Sequence, residues 1–216
     1  MSQPDQPAGL TKSRIEALTD GVFAVAMTLL VFDIKVPGLA EKTGAAALMR
    51  ELFALWPSFV GYVISFFVLG IYWVGHHAQF HFIRRTNRPF LWLNLVFLFF
   101  VTLIPFSAAL IAAHSEEFIA VAFYGLNLIG VGLLLFSIWS YATGKGRLVH
   151  DDIDPEAIRR ASERILIAPC VFAVAILLGL WNTKASLILY AATALYYFFP
   201  SRIDIHWSAR RPAGRA

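Results

Sequence analysis

The sequence predicts an all-α polytopic membrane protein with six transmembrane helices and both termini in the cytoplasm. Three observations carry this. Hydrophobic residues make up 58% of the 216-residue chain and charged residues only 15%, where a water-soluble domain is about half apolar and about a quarter charged. The apolar residues gather into long runs of the kind a helix needs to cross hydrocarbon. The cations lie between those runs and favour one side.

The first twelve residues are polar and read as a disordered tail, without the basic start of a signal peptide. Residues 13–201 form the membrane domain. Its six apolar segments are Ala17–Phe32, Leu52–Gly75, Phe90–Ala113, Phe118–Tyr141, Ile165–Trp181 and Ala185–Pro200. The first, fifth and sixth are short for a span of roughly 17–25 residues and need interfacial turns to complete them. Pro37 and Pro200 read as stops. Pro105 and Pro169 fall inside spans, where each removes a backbone donor and kinks its helix. Tight turns are expected at Ser115–Glu117 and Asn182–Thr183. Residues 202–216 read as a basic C-terminal tail.

Orientation follows from the cations. With the N-terminus inside, fourteen of the eighteen Lys and Arg residues face the cytoplasm, leaving only Lys35, Lys42, Arg50 and Lys184 outside. Such a bias supports both termini inside and an even number of spans. The net charge of +4 is therefore topological, and no nucleic-acid partner is expected. The single cysteine, Cys170, allows no intrachain disulfide and reads as a small buried hydrophobe.

The first span carries the chemistry. Asp20 stands at its start, with Arg14 and Glu16 within about two helical turns. A carboxylate at that depth is costly in lipid and should face protein or a watery cavity. At 100° per residue Val25, Thr28, Leu29 and Phe32 share a stripe that extends back to Gly21, Leu18 and Arg14. Gly21, Ala24, Ala26 and Thr28 are small and permit close helix approach. Arg14 and Asp20 sit about 240° apart around the helix, so they do not pair along one face. Each is expected to bond to another helix, at groups such as His77 or Asn94.

The stretch Arg14-Ile15-Glu16-Ala17-Leu18-Thr19-Asp20-Gly21, running on through Leu30, resembles the signature of the transmembrane protein 175 family. These are potassium-permeable channels of animal endolysosomes, with single-repeat relatives in prokaryotes. The family motif is Arg-x-x-x-Phe-Ser-Asp, and here Leu18 and Thr19 stand for Phe and Ser. Trp73, His76, His77, Phe80, Asn94 and the Leu103–Phe106 run also look like family features. The resemblance implies a homotetramer in the cell membrane, with a central pore lined by the first helix of each subunit and passing potassium and other monovalent cations. It implies an apolar constriction at Val25, with Leu29 and Phe32 adding rings, and a role in ion selectivity for Thr28. Arg14, Thr19, Asp20, Gly21, His77 and Asn94 would form the motif and its polar network between helices. No cofactor is implied.

Other chemistries fit less well. There is no TVGYG run for a filter of stacked carbonyls. His76, His77 and His81 lie in HHAQFH, not HExxH, so a zinc site is not indicated. Asp151, Asp152 and Asp154 lack the EF-hand Gly and Glu and read instead as an acidic cap for a helix starting near Pro155. No nucleophile–base set suggests an enzyme. The alternative kept open is a proton-coupled secondary transporter or proton pathway using Asp20 and His77.

Overall fold

The computed structural model describes residues 12–36, 44–145, 148–150 and 153–198. Helix α1 covers Lys12–Leu29 and continues through a 3₁₀ turn at Leu30–Asp33. The others are α2 (Ala45–Ala54), α3 (Trp56–Phe82), α4 (Arg88–Thr102), α5 (Ile104–Ala113), α6 (Phe118–Thr143), α7 (Pro155–Gly179) and α8 (Thr183–Phe198). Among the described residues the only extended pairing is an isolated antiparallel bridge between Ile83 and Val149.

Five units among the described residues are long and apolar enough to cross a membrane: α1 with its 3₁₀ turn, α3, α4 with α5, α6 and α7. The sixth apolar run is α8, whose 16 residues fall just under the roughly 17–25 of an upright span. Residues 1–11 and 199–216 lie outside the described residues, and with them most of both expected tails and the stop at Pro200. Lys12, assigned to the tail from sequence, instead opens α1 and pairs with Glu16 at 3.7 Å.

The second apolar segment divides differently from the sequence reading. Pro57 sits in the first turn of α3, where a missing N–H costs nothing, so the helix starts at Trp56 and α2 precedes it separately. The helix that carries the fifth apolar segment starts at Pro155, where the acidic run placed it, ten residues before the apolar part: Asp154 caps it, its carboxylate accepting from the Glu156 N–H at 3.0 Å. Asp151 and Asp152, expected in the same cap, lie outside the described residues. Glu156 and Glu163 then neutralise Arg159 and Arg160 at 2.7–3.0 Å before the apolar part of α7 begins. Cys170, expected to be buried, is exposed on α7.

Helix α6 is the hub, with Val121, Leu128, Val131 and Ile138 all fully buried. Hydrocarbon offers no hydrogen bonds, so polar side chains in the core must find partners in the protein. Tyr72 Oη donates to the Leu128 carbonyl at 2.7 Å and Gln79 Nε2 to the Leu135 carbonyl at 3.1 Å, which joins α3 to α6. Tyr190 Oη joins α8 to it through the Val121 carbonyl at 3.1 Å. Trp139 is buried and donates to the Ile158 carbonyl at 3.3 Å.

At the expected Pro105 kink the helix is interrupted for one residue, Leu103, which divides α4 from α5 within one spanning unit. The break needs polar partners inside the membrane, and Asn127 of α6 supplies them. In the amide orientation that satisfies its surroundings, Nδ2 donates to the Phe100 carbonyl at 3.1 Å and Oδ1 accepts from the Ile104 N–H at 3.2 Å. At Pro169 the helix is not interrupted: α7 is continuous across it, and its ring lies against Gly132 of α6.

At one end of the bundle the α3–α4 turn is clasped to the segment after α6. The Arg84 and Arg85 N–H groups both donate to the Leu148 carbonyl, at 2.8 and 3.1 Å, and His150 N–H donates to the Phe82 carbonyl at 3.2 Å. Asn87 caps α4 through the Phe90 N–H at 3.1 Å and donates to Tyr141 Oη at 3.0 Å.

A Cβ at Gly132 would lie 2.6 Å from Pro169 Cγ and 3.1 Å from its Cδ, both parts of a rigid ring. Gly132→Leu should therefore destabilise the protein by about 1–3 kcal/mol through overpacking. The readout is the unfolding temperature of detergent-solubilised protein, and an unchanged temperature contradicts the tight α6–α7 contact.

Candidate functional site

Helix α1 has two faces with opposite fates. Ile15, Thr19, Phe23, Ala26 and Leu30 recur at helical spacing and are buried against the rest of the chain. Phe23 meets Phe97 of α4 with ring centroids 6.0 Å apart. The opposite face carries Arg14, Leu18, Gly21, Val25, Thr28, Leu29 and Phe32, and all seven are exposed. Val25 is 58% exposed, Leu29 46% and Phe32 76%. An added Cβ at Gly21 would meet nothing within 4 Å, so Gly21 serves no packing inside this chain. Every residue of the stripe read from the sequence therefore points away from its own bundle.

Thr28 is the lone hydroxyl among the larger apolar groups of that stripe. Its Oγ1 donates back to its own helix, 3.0 Å from the Ala24 carbonyl and 2.8 Å from that of Val25. The proton is thereby committed to the backbone, and the oxygen faces outward as an acceptor.

Two polar contacts set the rotation of α1. In the first, Asn94 Nδ2 of α4 donates to Thr19 Oγ1 at 3.3 Å, and Asn94 Oδ1 lies 2.8 Å from His76 Nε2 of α3. All three side chains are at most 2% exposed. The His76 ring stacks on Phe80 and Phe97, with centroids at 4.2 and 5.3 Å. In the second, Trp73 Nε1 donates to Asp20 Oδ1 at 2.8 Å, and the indole stacks on His77 at 5.6 Å.

These positions revise the polar network expected from sequence. Thr19 and Asn94 belong to it. The buried histidine is His76, while His77 is exposed and touches the network only through the Trp73 ring. A helix places residues 76 and 77 about 100° apart, so a one-residue error exchanges core for surface. The signal that could have separated them is the spacing of Leu69, Tyr72, His76 and Phe80, the buried face of α3. Asp20 meets Trp73 and neither His77 nor Asn94 directly. Arg14 forms no ion pair among the described residues, and no described group of three or more His, Cys, Asp or Glu residues is placed to hold a metal ion.

The fold and site define a class: a polytopic helical membrane protein whose N-terminal helix presents an unpartnered face. Comparison with known proteins identifies the family. Residues 14–105 match the model described as endosomal/lysosomal potassium channel TMEM175. A protein of Streptomyces collinus named as a potassium channel is 35% identical over 190 residues, covering 86% of this chain and 91% of that protein. One of Chamaesiphon minutus, also named as a potassium channel, is 31% identical over 198 residues, covering 89% and 96%. A crystal structure described as a lysosomal potassium-selective channel TMEM175 homologue from Chamaesiphon minutus superposes with a TM-score of 0.75 at 29% identity, over 87% of this chain and 96% of that one. The chain belongs to the TMEM175 family.

Exchanging the two histidines for phenylalanine tests the network. His76→Phe keeps a stacking ring but strips the donor from buried Asn94, and should cost about 1–3 kcal/mol of stability. His77→Phe should stay within about 0.5 kcal/mol. Thermal unfolding of the two variants in detergent measures both, and equal losses contradict the assignment.

Proposed function

We propose that this chain is one subunit of a potassium-permeable channel of the cell membrane, in which copies of α1 surround a central pore. The observation that carries the reading is the exposed stripe on α1. One helix encloses nothing, so its outward face becomes a pore wall only in an oligomer. Lipid is a poor occupant, because Arg14 and the Thr28 oxygen share the stripe with the apolar residues. Four copies around one axis, six spans per chain with α8 as the last, and both termini in the cytoplasm complete the proposal. The tetramer rests on family resemblance and the orientation on the cation bias.

In this arrangement Val25, Leu29 and Phe32 form apolar rings over about 10 Å of pore, and such constrictions gate by dewetting. Val25 is small for a seal, so bulk added there narrows the path directly. The Thr28 hydroxyls, their protons turned to the helix, offer a ring of acceptor oxygens to a partly dehydrated cation. Trp73 and the Thr19–Asn94–His76 chain keep the stripe turned to the axis. A proton-coupled transporter using Asp20 and His77 has one observation in its favour, the Trp73 ring that touches both. Against it, Asp20 and His77 share no direct bond.

Flux into liposomes down a potassium gradient separates the readings. Passive potassium flux without a proton gradient is expected, and an absolute requirement for a proton gradient contradicts the channel. Val25→Phe should cut potassium conductance severely, and full conductance removes Val25 from the constriction. Thr28→Ala should lower the potassium-to-sodium permeability ratio about two- to tenfold, the worth of a typical hydrogen bond. Unchanged reversal potentials contradict that role.

A further inference from the structure

The clasped end of the bundle carries cations that form no ion pair among the described residues. Arg84 and Arg85 stand on the α3–α4 turn, Arg88 opens α4, and Lys145 lies two residues past the end of α6; all four are exposed and none forms an ion pair among the described residues. The contrast lies a few residues on, where Arg159 and Arg160 are held by Glu156 and Glu163. A sidedness rule that only counts cations accounts for both groups, but not for their different pairing among the described residues. Arg147, Asp151 and Asp152, which follow Lys145 in the sequence, lie outside the described residues.

The frame is ordered. The Ile83–Val149 bridge and the bonds from Arg84, Arg85 and His150 pin the two connections together, with Ile83, Leu148 and Val149 buried beneath them. Side chains on such a frame lose less freedom on binding than the same cations on a loose tail. The position is equally specific. Spanning helix α3 ends at Phe82, and spanning α4 begins at Arg88, so the arginines sit where the hydrocarbon gives way to headgroups. Planar guanidinium groups match phosphate oxygens two at a time. The α4 N-terminus, capped by Asn87, adds a favourable dipole for an anion.

We infer that the Arg84–Arg85–Arg88–Lys145 clasp is a binding site for the phosphate headgroup of an anionic phospholipid. It lies at the end of α3 and α4 and does not depend on ion conduction.

The purified full chain, titrated in mixed micelles with phosphatidylglycerol or phosphatidylcholine, tests this by native mass spectrometry of bound lipid. Wild type should prefer phosphatidylglycerol. Arg84→Gln/Arg85→Gln/Arg88→Gln should weaken that preference on the order of a hundredfold, whereas Arg159→Gln/Arg160→Gln should leave it intact. Equal loss in the two variants overturns the site in favour of a diffuse field, and no loss in the first overturns it outright. Inorganic phosphate at equal concentration should not displace the lipid; if it does, the site is for free phosphate. A measurement on wild type covers misfolding of the variants. Raising salt from about 0.1 M to about 1 M shortens electrostatic screening from about 10 Å to about 3 Å and should erase most of the preference. Salt-independent binding overturns the proposal.

Discussion

The buried chain from Thr19 through Asn94 to His76 is the constraint on which the rest of this structure depends. Three polar side chains sit where no water is available, and each is satisfied only by the next. Turning α1 by one residue, about 100°, would remove Thr19 from Asn94 and leave the Thr19 hydroxyl and the Asn94 Nδ2 group without that bond, at about 1–3 kcal/mol for each orphaned group. The same turn would bury part of the stripe Val25–Thr28–Leu29–Phe32 and expose Phe23 and Ala26. Polar bonding at one end of the helix thus decides which face is free along its whole length. The Trp73–Asp20 bond reinforces that choice and anchors the carboxylate that the helix would otherwise carry unpaired.

The remaining helices provide a rigid backing for α1. Its partners are α3, α4 and α5, and these are held in turn by α6 through Tyr72, Gln79 and Asn127. The break at Leu103 is instructive. A proline in a membrane helix strands backbone groups, and the cost is met here by one amide from a neighbouring helix. Gly132 and Pro169 solve the opposite problem, letting a rigid ring approach a backbone with no side chain between them. Helix α1 is less enclosed than α6, as befits an element whose other face serves a different contact.

Much of this was legible in the sequence, for identifiable reasons. Hydropathy located the five spanning units among the described residues because spanning segments must be continuous, but it missed α2 as a separate helix; the 100° repeat found the free stripe of α1 because that face is uninterrupted. Element starts were harder. Helix α7 begins in a charged stretch that hydropathy does not see, and its start near Pro155 was legible only from the acidic run that caps it. His76 and His77 were confused because adjacent residues carry the same chemistry and differ only in facing. Cys170 shows the same weakness: composition assigns a residue type to the core, but only packing assigns the particular residue. The clasp between Ile83 and Val149 left no trace in any periodicity, because it joins two short connections through backbone groups alone.

Whether the free face of α1 meets its own copies can be read without any ion. In a Cys170→Ser background, so that the exposed native thiol cannot react, Leu29→Cys is introduced and the membranes are oxidised. Subunits packed with this face around one axis should give a disulfide-linked dimer on a non-reducing gel, while Ile119→Cys, exposed on α6 away from that face, should stay monomeric. Leu29→Cys protein that folds, reaches the membrane and never cross-links would contradict the shared axis and the channel with it.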